Sequence, residues 1–203
     1  QYLYKVYASE DFYKEHQAFF EGMEVELVSD QVMKEISDTM TPQGVLALVR
    51  MLEYSLEDLL QQENPLLLVL ENLQDPGNLG TILRTGEGAG INGIIMSRET
   101  VDIYNPKVTR STMGSIFRVP FVYVDDLFEV IKMMKDRNIT TYAAHLNGTD
   151  YTRESYTLGT AFLIGNEGNG LTDELTDNAQ KKIKIPMCGR VESLNAAMAS
   201  GLL

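Results

Sequence analysis

The chain has 203 residues, 44% of them hydrophobic, enough for one good core or one core with a small appendage. Its formal charge of −12 argues, taken alone, against a nucleic-acid binder, whose footprint is usually basic. No apolar run approaches the roughly 20 residues of a membrane span, so a soluble protein with no membrane partner is expected.

The single cysteine, Cys188, offers no disulfide framework and points to a reducing, cytoplasmic setting. A Cys-His nucleophile is set aside because a small buried thiol is the usual case. Two histidines, His16 and His145, are too few and too far apart for zinc, and no metal is expected. The charge is uneven. Residues 1–58 carry 4 Lys/Arg against 12 Asp/Glu, and residues 59–203 carry 13 against 17. The second segment includes a local basic group, Lys107, Arg110 and Arg118, that can hold phosphate even on an acidic protein.

In chain order, residues 2–8 (YLYKVYA) read as a strand, and Ser9 caps an amphipathic helix, EDFYKEHQAFF. Val25 to Val28 alternate as a strand, and Ser29 opens a short helix, QVMKEISD. A turn and the strand VLALV then close a small α/β unit. The opening in strand-and-helix material and the uncapped apolar helix at the end read as a fragment of a longer protein. EYSLEDLLQQEN reads as a helical linker. From Asn64 onward strands and helices alternate: LLLVLEN, NLGTILRTGEGAG, GIIMS, KVTRSTMGSIFR, FVYV, DLFEVIKMMKDR, TTYAAHL, AFLIGNEGNG, DELTDNA, KIKIP and SLNAAMASGLL. That pattern predicts a parallel sheet with helices on both faces. Asp125 is expected to cap its helix, whose C-terminal end suits Lys132, Lys135 and Arg137.

Ligands of such sheets gather at the carboxyl ends of strands. Three loops there mix glycine with polar side chains: DPGNLG, GNEGNG and PMCGRVESLN. No Gly-Lys pair occurs, so a P-loop is excluded. GEGAG ends a helix where a dinucleotide fingerprint would open one, and GNEGNG has the spacing reversed, which disfavours a nucleotide-dependent oxidoreductase. Singly, these residues have plain explanations. Gly77, Gly90 and Gly170 suit turns and caps, Asn78 and Ser193 suit N-caps, Glu167 is an ordinary exposed acid, and Arg84 suits a surface ion pair. Their convergence on one class of loop is the functional signal.

NLxxxxRTGExxGINGIIM, FLIGNEGNGL and IKIPMCGRVESLNAAMA, in that order, resemble the three motifs of the SpoU (TrmH-like) RNA 2′-O-ribose methyltransferases of the SPOUT superfamily. Residues 1–50 resemble, more weakly, the latter part of the L30e-like RNA-binding domain. The final motif departs from the family's usual NVSVA, reading NAAMA, with its small-residue pattern kept. The resemblance implies a partial L30e-like α/β domain at 1–54, a linker at 55–63, and a catalytic domain at 64–203. That catalytic domain would be a SPOUT-type parallel sheet flanked by helices, with a trefoil knot over about 140–203. It implies S-adenosylmethionine held by the knot's loops, with Gly165, Ile185 and Leu194 contacting it through backbone groups. His145, Leu163, Asn166 and Met187 would line the adenine side.

The resemblance implies that Arg84 activates the ribose 2′-hydroxyl; because a free guanidinium is a poor base, a clamp on phosphate and hydroxyl is the alternative role. Asn78 would orient Arg84 or the RNA backbone, Glu167 would pair with polar neighbours or fix the arginine, and Ser193 and Asn195 would hydrogen-bond the ribose. The resemblance further implies a homodimer acting on RNA, ribosomal rather than transfer. A non-catalytic RNA-binding or assembly protein on the same fold is the competing reading.

Overall fold

The computed structural model describes residues 2–156 and 158–203, in two units, Gln1–Glu53 and Tyr54–Leu203. In the smaller unit, alternating apolar residues build three strands, β1 (Leu3–Ser9), β2 (Val25–Val28) and β3 (Val45–Val49). They lie in the order β2-β1-β3, with β1 parallel to β2 and antiparallel to β3. Ser9 caps α1 (Glu10–Glu15), its hydroxyl accepting from the Phe12 N–H, and Ser29 caps α2 (Asp30–Ile36) from Val32 in the same way. The helix expected through Phe20 stops at Glu15 and continues as a 3₁₀ turn, Gln17–Phe20. The tighter turn accompanies burial of Phe20 among Val6, Ala8, Phe12 and Tyr13.

The larger unit is a six-stranded, wholly parallel sheet. Its strands are β4 (Leu66–Leu70), β5 (Gly93–Ser97), β6 (Phe121–Val124), β7 (Thr140–Asp150), β8 (Thr160–Ile164) and β9 (Lys181–Lys184). The order is β6-β5-β4-β8-β7-β9. The apolar runs of β4, β5 and β8 are buried on both faces, as continuous hydrophobic strands must be. The helices are α3 (Leu56–Leu60), α4 (Pro76–Ala89), α5 (Pro106–Ser111), α6 (Leu127–Asp136), α7 (Asp173–Asn178) and α8 (Ala196–Leu202).

Four expectations are corrected. The segment read as a linker contains α3, whose Leu59 and Leu60 sit in the main core beside Leu67, Val69 and Ile95. Those leucines are the apolar face that a solvated linker would not carry. Asp126, not Asp125, caps α6, accepting from the Phe128 and Glu129 N–H groups, while Asp125 pairs with Arg98. β7 runs on past Leu146 to Asp150 because its register against β9 shifts between Ala144 and Thr149, letting pairing resume. Gly148 lies in that irregularity, where a Cβ would stand 2.4 Å from the Ile183 main chain. Finally, the described part of the β7–β8 connection holds a 3₁₀ turn, Tyr151–Arg153, where a helix would keep strict alternation.

α4 packs against both α5 and α8. Gly80 permits the close approach of α4 to α5, and Glu87 ties α4 to the segment beyond. Its carboxylate accepts from the Ser115 hydroxyl and from both Nε and Nη2 of Arg118. Arg118 first, then Ser115, holds the Glu87 carboxyl down at about 2.

A carboxyl held low in the folded state stabilises the fold fully above its unfolded pKa and loses that contribution as pH falls toward the folded value. Urea unfolding of Glu87→Gln should therefore depend less steeply on pH than wild type between about 4.5 and 2, and match its slope above that window. A Cβ at Gly165 would lie 2.0 Å from the Gly170 carbonyl carbon and 2.1 Å from the Leu171 nitrogen. Gly165→Ala should accordingly cost about 3 kcal/mol, read as a lowered thermal midpoint.

Candidate functional site

The carboxyl ends of β4, β8 and β9 lead into three loops, and the strand order reverses at β4, which has β5 on one side and β8 on the other. That is where open parallel sheets hold ligands. The loop after β4 begins with Glu71, a buried carboxylate accepting from both the N–H and the hydroxyl of Thr172, at 2.8 Å each. This fixes the start of α7. Asn166 organises the loop after β8. Its side-chain amide donates to the Asn72 carbonyl, and its oxygen accepts from the Gly168 and Asn169 N–H groups. Its main chain pairs with Gly170 in both directions.

Glu167 joins these loops. Its carboxylate accepts from the Gln74 N–H at 3.0 Å, the Asp75 N–H at 2.8 Å and the Asn78 side-chain amide at 3.0 Å. Partial burial pushes its carboxyl up, and the three hydrogen bonds, that of Asn78 foremost, outweigh this and hold it below the ordinary glutamate value. The Asn78 oxygen in turn accepts from the Asn195 side-chain amide at 2.8 Å, and the Asn195 oxygen caps α8 through the Ala197 and Met198 N–H groups. One residue from each of the three loop regions, Asn78, Glu167 and Asn195, thus forms a continuous hydrogen-bonded chain.

The capping roles differ from expectation. Asp75 caps α4 and Asn195 caps α8, leaving the Asn78 side chain free for Glu167 and leaving Ser193 exposed on the cleft. Gly77 lies inside the first turn of α4, whereas Gly90 and Gly170 do have left-handed backbones.

A cleft of about 430 Å³ opens between the loops after β8 and β9. His145, Gly165, Asn166, Ile185, Met187 and Leu194 line it, together with Lys184 of the third motif and Asp173, which lies outside the motifs. Leu163 does not. It is fully buried in the main core, because its side chain points to the opposite face of β8 from the loop. A neighbouring depression is bounded by Asp75, Asn78, Glu167, Ser193 and Asn195, and shares Glu167, Ser193 and Leu194 with the cleft. The size of the cleft falls in the range of small-molecule sites. Its lining joins aliphatic side chains and glycine-loop main chain with the charged groups of Glu167, Asp173, Lys184 and Glu192, a mixture that suits an adenosine moiety with polar substituents.

Arg84 stands apart. It is exposed on α4 and its side chain makes no hydrogen bond or ion pair with any described residue, so the expected surface ion pair is not formed. Six residues separate it from Asn78, about 9 Å along a helix and on another face. Neither Asn78 nor Glu167 bonds to it. Two further residues that work here, Glu71 and Asp75, lie outside the positions the motifs single out. The available signal is a carboxylate ending an otherwise apolar strand run, and an Asp directly before Pro-Gly.

Residues 65–203 match the SpoU rRNA Methylase family, and residues 2–47 match the MRM3-like substrate binding domain. The chain is 32% identical over 189 residues to the 23S rRNA (guanosine(2553)-2′-O)-methyltransferase RlmP of Bacillus subtilis, covering 90% of this chain and 71% of that protein. The crystal structure of the SpoU methyltransferase AviRb from Streptomyces viridochromogenes in complex with the cofactor AdoMet superposes with a TM-score of 0.87 at 27% identity, over 98% of this chain and 80% of that one. The AdoMet-bound rRNA methyltransferase from Sinorhizobium meliloti gives 0.85 at 32% identity, over 98% and 77%. Among the described residues no helix is long and apolar enough to cross a membrane. Three motifs on three loops, joined by one hydrogen-bonded chain on a parallel sheet shared with these enzymes, place the protein in the SpoU rRNA methylase family.

Proposed function

We propose that the chain transfers a methyl group from S-adenosylmethionine to a ribose 2′-hydroxyl of ribosomal RNA, in the cytoplasm. The observation that carries this is the Glu167–Asn78–Asn195 link, which ties the walls of the cleft to the depression beside it. The cofactor supplies an activated sulfonium methyl. Gly165, Ile185 and Leu194 would contact the cofactor through backbone groups, and His145, Asn166 and Met187 would line the adenine side. Ser193 and Asn195 present hydrogen-bonding groups on the side where the ribose would enter.

The weak nucleophile needs alignment within about 3–3.5 Å of the methyl. Arg84 fits the part of clamp: a guanidinium has five donors and no acceptor, and here it is exposed and uncommitted. Glu167 is a poor proton acceptor because its carboxylate already takes three hydrogen bonds. The hydroxyl proton leaves to solvent in this scheme. Ribosomal RNA is favoured over transfer RNA by the RlmP likeness and by the match of residues 2–47, which we assign to RNA capture within a domain spanning about 1–54.

The same reading includes a homodimer. Arg84 lies on a different face of α4 from Asn78, which suits delivery to a partner's cleft, and α8 leaves Met198 and Leu202 exposed. It also includes a knotted path for about 140–203, supported by β8 inserting between β4 and β7 and by α8 returning to pack on α4. A chain trace that pulls straight from both ends would remove the knot.

Arg84→Ala should bind S-adenosylhomocysteine as wild type does in calorimetry, yet lose methyl transfer to ribosomal RNA by about 100-fold or more. Full activity in that variant would overturn the assignment, and failure of wild type to bind S-adenosylhomocysteine would overturn the function. Met198→Glu with Leu202→Glu should halve the mass seen by light scattering. An unchanged mass would exclude α8 from the interface.

A further inference from the structure

We infer that the exposed edge where α4 meets α5, carrying Lys107 and Arg110 beside Arg84, grips the phosphate backbone of the RNA. This rests on the RNA reading above and assigns it a surface. The chain has 29 acidic residues and 17 Lys/Arg, so most approaches by a polyanion are repelled. Many of its cations are also spent on carboxylates: Arg98 on Asp125, Arg118 on Glu87, Arg137 on Glu57, Lys181 on Glu154 and Lys182 on Asp177. Arg84 and Lys107 are not spent on any described residue. Among the described residues, the side chain of Arg110 bonds only from Nε to the Pro106 carbonyl, at 3.2 Å.

The fold sets these uncommitted cations along one edge. The helices touch so closely at Gly80 that a Cβ there would lie 1.7 Å from the Ser111 hydroxyl and 2.9 Å from the Val108 carbonyl oxygen. One turn further along α4 comes Arg84, and one turn beyond that Glu87 holds Ser115 and Arg118. Arg84 therefore sits between two contacts of the same neighbouring segment. On α5, Lys107, Arg110 and Ser111 are spaced i, i+3, i+4, which puts the two exposed cations on the side of the helix that carries Ser111, the residue that meets Gly80. Between α5 and the Glu87 contact, Met113 and Gly114 both have left-handed backbones, with φ of 51° and 85°. That bend turns the segment back to reach Glu87. Arg118, grouped with Lys107 and Arg110 by sequence, is removed from the set because Glu87 neutralises it through two bonds.

The test uses the full chain and in-vitro-transcribed 23S ribosomal RNA. Lys107→Ala with Arg110→Ala should leave S-adenosylhomocysteine affinity and kcat unchanged and raise KM for RNA about 10-fold or more. The slope of log affinity against log salt should become shallower by about 1–2, as expected for one or two lost phosphate contacts. Lys107→Ala alone, which breaks no contact, should give a smaller effect of the same kind. Lys135→Ala, an exposed cation on α6, should give none. Equal KM and salt slope in the double variant and wild type would overturn the inference while leaving methyl transfer standing. RNA binding with the predicted slope change but no methyl transfer by wild type would sink the catalytic reading and keep this one. No RNA binding by wild type would overturn both.

Discussion

The carboxylate of Glu167 is the constraint on which the site depends. Asn78, after β4, lies 89 residues from Glu167 and 117 from the α8 cap Asn195, and the three close their loops into one unit. Hydrogen bonds to an ionised acceptor contribute about 1.5–3 kcal/mol each when protected, and less at the partly exposed position Glu167 occupies. Ordering the six-residue loop from Gly165 to Gly170 costs about 1–2 kcal/mol per residue. The carboxylate alone is too weak for that. The bonds of Asn166 to Asn72, Gly168 and Asn169 and the Glu71–Thr172 anchor add to it.

Two kinds of charge coexist on the larger unit. Exposed ion pairs such as Arg98–Asp125 add about 0–1 kcal/mol each. Their effect here is to sort the cations, neutralising some and leaving Arg84, Lys107 and Arg110 uncommitted along one edge. A net charge of −12 therefore describes long-range steering, and the local pattern describes where a polyanion can land. The same residue type takes opposite roles according to whether a carboxylate lies within reach, as Arg84 and Arg118 do.

Much of the fold is legible in the sequence. The apolar runs at β4, β5 and β8 announce a parallel sheet because strands buried on both faces have no polar positions to alternate with. The motifs carry the family. Which polar side chain meets which is not legible. Asn78 has the chemistry of a cap, but Asp75, three residues earlier, takes the first-turn N–H, and Asp126 displaces Asp125 by one residue in the same way. Leu163 suits a cofactor lining by position, yet strand periodicity gives two faces without saying which one meets the loop. α3 reads as a linker because a few leucines among polar residues are a thin signal, and only the packing puts Leu59 and Leu60 in the core.

Composition, hydrophobic period and three motifs determined the class of fold and the identity of the loops, because burial of apolar runs and glycine turns are local properties of the chain. The tertiary structure alone decided that Glu167 bonds to Asn78 while Arg84 stands free, and that Arg118 is neutralised while Arg110 is not. Those outcomes depend on hydrogen-bond distances between residues up to 117 positions apart, which only the packing of one strand end against another can set.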